Sequence, residues 1–455
     1  MSNFIDRRKF LAGTAGTLAG FTFVPGRVLG QGGGQPASEK LNIAAIGVGG
    51  MGAANLSAVE NENVVALCDV HPNHAAGTFK KYPQAKTCQD YRVMLDKEDR
   101  NIDAVIIATP DHTHAVIGIE CIRRGKHVYL QKPLAHSIYE TRMLTEAARK
   151  HRVQTQMGNQ GHSSNEIRML YEWIQDGAIG PVREVYAWSD RPVGGDPWSD
   201  FPIVARPKET PAVPETLDWD LWLGPAAYRP YHPIYHPMSW RGFWDFGTGA
   251  LGDMGCHILD PAFWTLQLGH PTRVEASTTH YEPEVAAETY PRASVVRYEF
   301  PARGDMPPVK LTWFDGRLLP PRPKDLEPGR RLGTNGALFI GDKGTIMHDS
   351  HGAGGVRIIP ESKMRAYKRP AESLPRVKDG SGGHERDWVR ACKDGKPASS
   401  SFEYGGPLTE MVLLGVLAMR LRDTPLEWDG AKMKVTNNDE ADKYIRPAFR
   451  EGWAL

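Results

Sequence analysis

Long apolar runs are missing from this chain. The one candidate, Leu11 to Val24, is about 14 residues long and diluted by glycine and threonine, whereas a bilayer-spanning helix needs roughly 20 apolar residues. An excess of charge of either sign is missing as well. The 55 Lys and Arg offset 54 Asp and Glu to a net +1, which leaves no electrostatic footprint for nucleic acid or an anionic membrane. Cysteine is scarce. Cys68, Cys88, Cys121, Cys256 and Cys392 are scattered and odd in number, with neither metal-ligand spacing nor a disulfide framework. They read as buried thiols that pack like small apolar side chains. No internal repeat is visible.

What is present begins with an export pattern. Arg7-Arg8-Lys9-Phe10-Leu11 has the form of a twin-arginine signal. A weakly apolar stretch follows, then Pro25-Gly26-Arg27 and a small-residue site at Val28-Leu29-Gly30. Residues 1–30 are expected to be a signal peptide, cleaved near Gly30 and handled by the twin-arginine export machinery, which delivers folded proteins to the periplasm. The plainer alternative is an N-terminal helix kept in the mature protein. No cysteine follows the site, so no stable membrane anchor is expected. Residues 31–39 are Gly-rich and polar, as in a linker.

At 455 residues the chain has room for two domains. From residue 40 short apolar strands alternate with helices. Strands are expected at 41–46, 63–69, 103–108, 127–130 and 153–157, with helices at 114–125 and 137–151 between them. Ser137 and Glu140 are spaced as a capping box. Near-continuous apolar strands separated by helices predict a parallel sheet covered on both faces. The fold class is therefore α/β, with a doubly wound Rossmann sheet over residues 40–158. Residues 159–455 read as an α+β substrate-binding and oligomerisation domain with a large, mostly antiparallel open sheet. Its strands are expected at 182–188, 294–300, 309–314, 337–340 and 355–359, and its closing helices at 384–393 and 408–422.

Gly47-Val48-Gly49-Gly50-Met51-Gly52 follows the first strand and opens a helix. The glycines give a tight turn, close approach of backbone to a pyrophosphate and close strand–helix packing, and the helix N-terminus faces the phosphate charge. Asp69 ends the second strand, where an acid bonds ribose hydroxyls. It also repels a 2′-phosphate, so NAD rather than NADP is the expected cofactor, with Gly50 and Met51 beside the pyrophosphate.

Two further strand ends face the same cleft, because open parallel sheets bind ligands beyond their carboxyl ends. One carries Thr109-Pro110-Asp111-His112-Thr113-His114, the other Gln131-Lys132-Pro133. Later, Asp253 and His257 stand four residues apart on one helix face. An Asp that orients a His, opposite a Lys, can move a hydroxyl proton while hydride leaves the carbon, and histidine titrates near working pH. Plainer roles stay open: Lys132 as a solvated surface residue, His257 as a satisfied helix-end histidine, Asp253 as a helix cap.

These motifs, in this order, resemble the glucose–fructose oxidoreductase and inositol dehydrogenase family (Gfo/Idh/MocA), over roughly residues 40 to 430. The family's Glu-Lys-Pro stands here as Gln131-Lys132-Pro133, its Asp-x-x-x-His as Asp253 and His257, and its Thr-Pro-x-x-x-His as Thr109, Pro110 and His114. The resemblance implies that Lys132 and His257 act on a substrate hydroxyl with Asp253 assisting. It places Thr109, Pro110, His114, Gln131 and Lys132 at the cofactor, and it implies a homodimer or homotetramer paired through the open face of the second sheet. Gln131 departs from the family's Glu and removes a charge near Lys132.

The stretch from Trp219 to Phe246 is rich in Trp, Tyr and Phe. Aromatic faces with polar tips suit sugar rings, although a loop core would use the same residues. Trp240 and Arg241, nearest the Asp253 helix, are the first candidates for substrate contact, and Asn159 after the sixth strand is another. His232 and His236 are also four apart, but nearby prolines argue against a helix and no metal site is expected. The sequence thus predicts an NAD-dependent oxidoreductase acting on a CH–OH group of a sugar or polyol, with tightly bound, internally recycled NAD. Two alternatives stand beside it. One is an NAD-dependent glycosidase that oxidises C3, eliminates the aglycone, adds water and returns the hydride, as in the α-N-acetylgalactosaminidases. The other is a noncatalytic sugar-binding protein.

Overall fold

A computed structural model describes residues 39–279, 282–422 and 424–455; the export signal and most of the linker lie outside the described residues. Leu41–Leu455 form one compact unit built on two sheets. The first comprises β1 (Asn42–Ile46), β2 (Asn63–Cys68), β3 (Lys86–Cys88), β4 (Ala104–Ile107), β5 (His127–Leu130) and β6 (Thr155–Met157). Their order is β3-β2-β1-β4-β5-β6 and every pair is parallel. The order reverses between β1 and β4, and the crevice at such a switch point is where this architecture binds ligands. The Ser137–Glu140 capping box is present and starts helix Ile138–His151.

The second sheet comprises β7 (Val182–Trp188), β8 (Arg273–Thr278), β9 (Ser294–Phe300), β10 (Val309–Phe314), β11 (Gly336–Gly341), β12 (Thr345–His348), β13 (Arg357–Ile359), β14 (Leu426–Asp429) and β15 (Lys434–Val435). It is antiparallel except for the β7–β10 pair. β9 and β10 alternate buried and exposed residues, so one face packs inward and the other faces out.

A continuous apolar core joins the inner face of this sheet to the first sheet through three helices, Ile138–His151, Gly249–Ile258 and Phe402–Arg420. Two of these helices meet closely because Gly255 presents no side chain: a Cβ there would lie 3.0 Å from Val412. The close fit fixes the helix that carries Asp253 and His257. Residues 190–246 are mostly irregular, as expected, apart from helix Trp219–Leu223 and a turn of 3-10 helix at Ser239–Gly242. Among the described residues no helix is long and apolar enough to cross a membrane.

Candidate active site

The ends of β1, β2, β4 and β5 open into a cleft of about 520 Å³, within the usual range for a small-molecule site. Gly47, Gly49, Gly50 and Met51 form one wall. Gly47 has φ +79°, and a Cβ there would lie 2.7 Å from the Ala108 carbonyl oxygen, so the turn requires glycine. Gly52 lies behind this wall, where a Cβ would collide with the Gly47 carbonyl. Gly50 is the N-cap of helix Met51–Ala58 and has open space above its Cα. No side chain caps this helix and its first turn holds no acid, so its free N–H groups and positive end suit a pyrophosphate.

Asp69 is buried at the end of β2. Its Oδ2 accepts from the backbone N–H of Val48 at 2.9 Å and of Gly49 at 3.1 Å, and its Oδ1 accepts from that of His71 at 2.9 Å. Burial pushes its carboxyl up despite these bonds. The acid therefore shapes the glycine loop as well as lining the cleft. The residues present fit NAD: a bare glycine wall, an uncapped helix end and an acid at the end of the second strand.

The chemical end lies across the cleft. Lys132, directly after β5, donates from Nζ to both Oδ1 and the backbone oxygen of Asp253, each at 2.7 Å. Arg191 Nε lies 2.9 Å from Asp253 Oδ2, and Arg241 Nε lies 3.6 Å from Oδ1. Burial penalises the Asp253 carboxylate, but Lys132, Arg241 and Arg191 prevail and hold its carboxyl down at about 2. Asp253 sits inside helix Gly249–Ile258, whose N-cap is Thr248, so it is not a cap. His257, one turn on, lines the same cleft. Its ring lies 4.0 Å from that of His351, centroid to centroid, and its buried Nδ1 has no hydrogen-bond partner among the described residues. Burial, followed by His351, Lys132 and Arg191, drives His257 well below its usual range. A neutral imidazole beside a paired lysine can accept a proton while the ammonium faces a developing negative oxygen.

Of the residues expected from sequence, Thr109, Pro110, Gln131, Trp240 and Arg241 also line the cleft. Gln131 donates to Asn55 Oδ1 at 3.0 Å, and Asn55 donates to Glu385 Oε1 at 2.7 Å. The carboxylate missing at position 131 is thus reached one amide further away. Two expected residues stand elsewhere. His114 is buried with its ring nitrogens 2.8 Å from the Pro133 oxygen and 2.9 Å from the Thr109 oxygen. It ties the two strand ends together and does not line the cleft. Asn159 accepts from Ser400 Oγ at 2.6 Å and faces the core, and its neighbour Gln160 lines the cleft instead.

The expected aromatic wall is mainly a core. Trp219, Trp222, Tyr235, Trp240, Phe243 and Phe246 pack on one another, and of the Trp, Tyr and Phe in the described stretch only Trp222 and Trp240 line the cleft. Sequence reasoning missed Arg191, His351, Trp198, His74, His236 and Trp453, all of which line it. A strand-end position is the one signal that could have found Arg191, three residues after β7. His351 arrives because the link between β12 and β13 lies backbone to backbone on Gly161. Among the described residues no group of three or more His, Cys, Asp or Glu could hold a metal ion.

Residues 41–159 match the oxidoreductase family, NAD-binding Rossmann fold, and residues 191–300 match that family's C-terminal alpha/beta domain, together about half of the chain. The chain is 25% identical over 260 residues to levoglucosan dehydrogenase of Pseudarthrobacter phenanthrenivorans, covering 54% of this chain and 56% of that protein. It is 27% identical over 350 residues to the α-N-acetylgalactosaminidase of Shewanella oneidensis, covering 70% and 66%. The matched stretch thus spans about half to two thirds of these curated relatives. The solved structure of levoglucosan dehydrogenase with NADH and levoglucosan shares the fold, with a TM-score of 0.57 at 19% identity over 85% of this chain and 99% of that one.

Proposed function

The chain belongs to the Gfo/Idh/MocA oxidoreductase family, and on that premise we propose that it oxidises a CH–OH group of a sugar or polyol with NAD that stays bound through the cycle. The observation that carries this reading is the convergence of Lys132, Asp253 and His257 on a cleft shared with the glycine loop. NAD, when bound, supplies the hydride acceptor. Neutral His257 takes the hydroxyl proton. Lys132 donates a hydrogen bond to the oxygen as charge develops on it, and Asp253 holds Lys132 in place. Such proton transfer contributes about 10²–10⁴ in rate.

Retention of NAD is supported by what covers the ribose end. Leu221, Trp222, His236 and Trp453 line the cleft together with Asp69 and Tyr91, and His236 Nε2 lies 2.8 Å from His71 Nδ1. Export to the periplasm belongs to the same reading. Free NAD is scarce there, so a retained and regenerated cofactor suits the twin-arginine motif. Homo-oligomerisation through the outer face of the second sheet is a further part of it.

A second reading, the NAD-dependent glycosidase, is favoured by the similarity to the α-N-acetylgalactosaminidase over 350 residues. One experiment separates the two. The purified protein is mixed with free sugars and glycosides while the absorbance of its bound nicotinamide is followed. Net reduction is expected for a dehydrogenase; aglycone release without net reduction supports the glycosidase; neither, with every carbohydrate, contradicts both.

A further inference from the structure

Positive charge is in excess around Asp253. Lys132, Arg191 and Arg241 all approach this one carboxylate, at 2.7, 2.9 and 3.6 Å. Their side chains are 15%, 19% and 26% exposed, so water screens them little. Arginine does not lose its proton in proteins, so the two guanidinium groups alone outnumber the carboxylate they share.

Neighbouring acids do not restore the balance. Asp245 is paired with Arg229, and Asp196, an exposed acid that feels Arg191, is turned to the Trp198 N–H and Ser199 Oγ. Asp111 lines the cleft, but it is buried and accepts from Thr248 Oγ1 at 2.7 Å, and burial pushes its carboxyl up to about 6. At least one positive charge therefore stands uncompensated even when Asp111 is ionised, and oxidised nicotinamide would add another. Clustered like charges in a poorly hydrated site are costly unless an opposite charge joins them.

The donors are also free to receive one. Arg191 spends Nη1 on Met254 Sδ and Arg241 spends Nη1 on the Met238 oxygen. The second terminal nitrogen of each has no partner among the described residues. The Arg241 guanidinium lies over the Trp240 ring, 4.2 Å from its centroid, so it is positioned in advance.

We propose that the substrate is an acidic sugar, a uronic acid or its glycoside, and that Arg191 and Arg241 receive its carboxylate. Planar guanidinium groups match carboxylate geometry. The proposal rests on the carbohydrate reading above and narrows it to an anionic class.

Calorimetry and nicotinamide reduction with methyl glucuronides and galacturonides, beside the matching methyl glucosides and galactosides, test it. The uronates should bind at least about tenfold more tightly, as charge-assisted hydrogen bonds imply, and the preference should weaken with salt. Arg241→Gln should abolish the preference and Arg241→Lys should restore part of it, with bound NAD content reporting an intact fold in both. Neutral glycosides binding as tightly as uronates, or a preference that survives Arg241→Gln, would overturn the proposal and leave the carbohydrate reading standing. If neither class binds or reduces the nicotinamide, both fall.

Discussion

Asp69 does two things with one carboxylate. It accepts from the N–H groups of Val48 and Gly49, fixing the loop that would cradle a pyrophosphate, and it places a negative charge where a 2′-phosphate would sit. Wild type should therefore bind NAD well over tenfold more tightly than NADP. Asp69→Ser should narrow that ratio and weaken NAD binding, because the two amides lose their acceptor; equal affinity of wild type for both cofactors would refute this. Lys132, Asp253 and His257 were legible in the sequence because a strand end and an i,i+4 spacing place side chains by local geometry alone. Arg191 and His351 were not. They enter from β7 and from the β12–β13 link, and nothing local to either residue says which distant backbone it will meet. His114 and Asn159 stood at the right strand ends, yet their side chains turn to buried carbonyl and hydroxyl partners.

The glycine loop works as an element through its packing against the helix it starts. A Cβ on Gly52 would collide with the Gly47 carbonyl and would also meet Ala108 Cβ at 3.3 Å. Gly52→Ala should therefore displace the loop and lower NAD affinity by at least about tenfold while the rest of the fold survives. Unchanged NAD binding with an unchanged melting temperature would contradict this role. Elements with strong local signals were readable: the apolar strands β1, β2, β4 and β5, and the helix started by Ser137 and Glu140. β3 was not, because Lys86-Thr87-Cys88 is too short and too polar to show a period. The aromatic stretch was misplaced for a related reason. Composition says that Trp, Tyr and Phe will be covered, but whether by ligand or by one another depends on how the loop folds back.

At the scale of the whole molecule, burial of histidine governs the response to acid. Ten described histidines are held below their usual range, with burial the leading cause in each. His114, His236, His348 and His351 fall to about 4. Below the ordinary histidine value of 6.5 the unfolded chain takes up these protons and the folded chain does not, so stability drops as pH is lowered. Four buried carboxyls, Asp69, Asp111, Glu140 and Asp315, are pushed up and act oppositely. Their contribution is complete below the unfolded carboxylate range and is lost as pH rises through about 6 for Asp111 and Asp315 and about 7 for Glu140. Ten sites outweigh four, so the melting temperature should be lower at about pH 5 than at about pH 7.5. A higher value in acid would contradict this balance.

In the proposed reaction, bound NAD and the Lys132–Asp253–His257 set act on one carbohydrate CH–OH group. Its most direct test is a single turnover of the purified protein, with the bound nicotinamide followed by absorbance after mixing with the carbohydrate panel. Wild type should show reduction, and Lys132→Met and His257→Ala should keep NAD yet slow that step by at least about a hundredfold. A nicotinamide that no carbohydrate reduces, or one reduced equally fast in either variant, would contradict the claim.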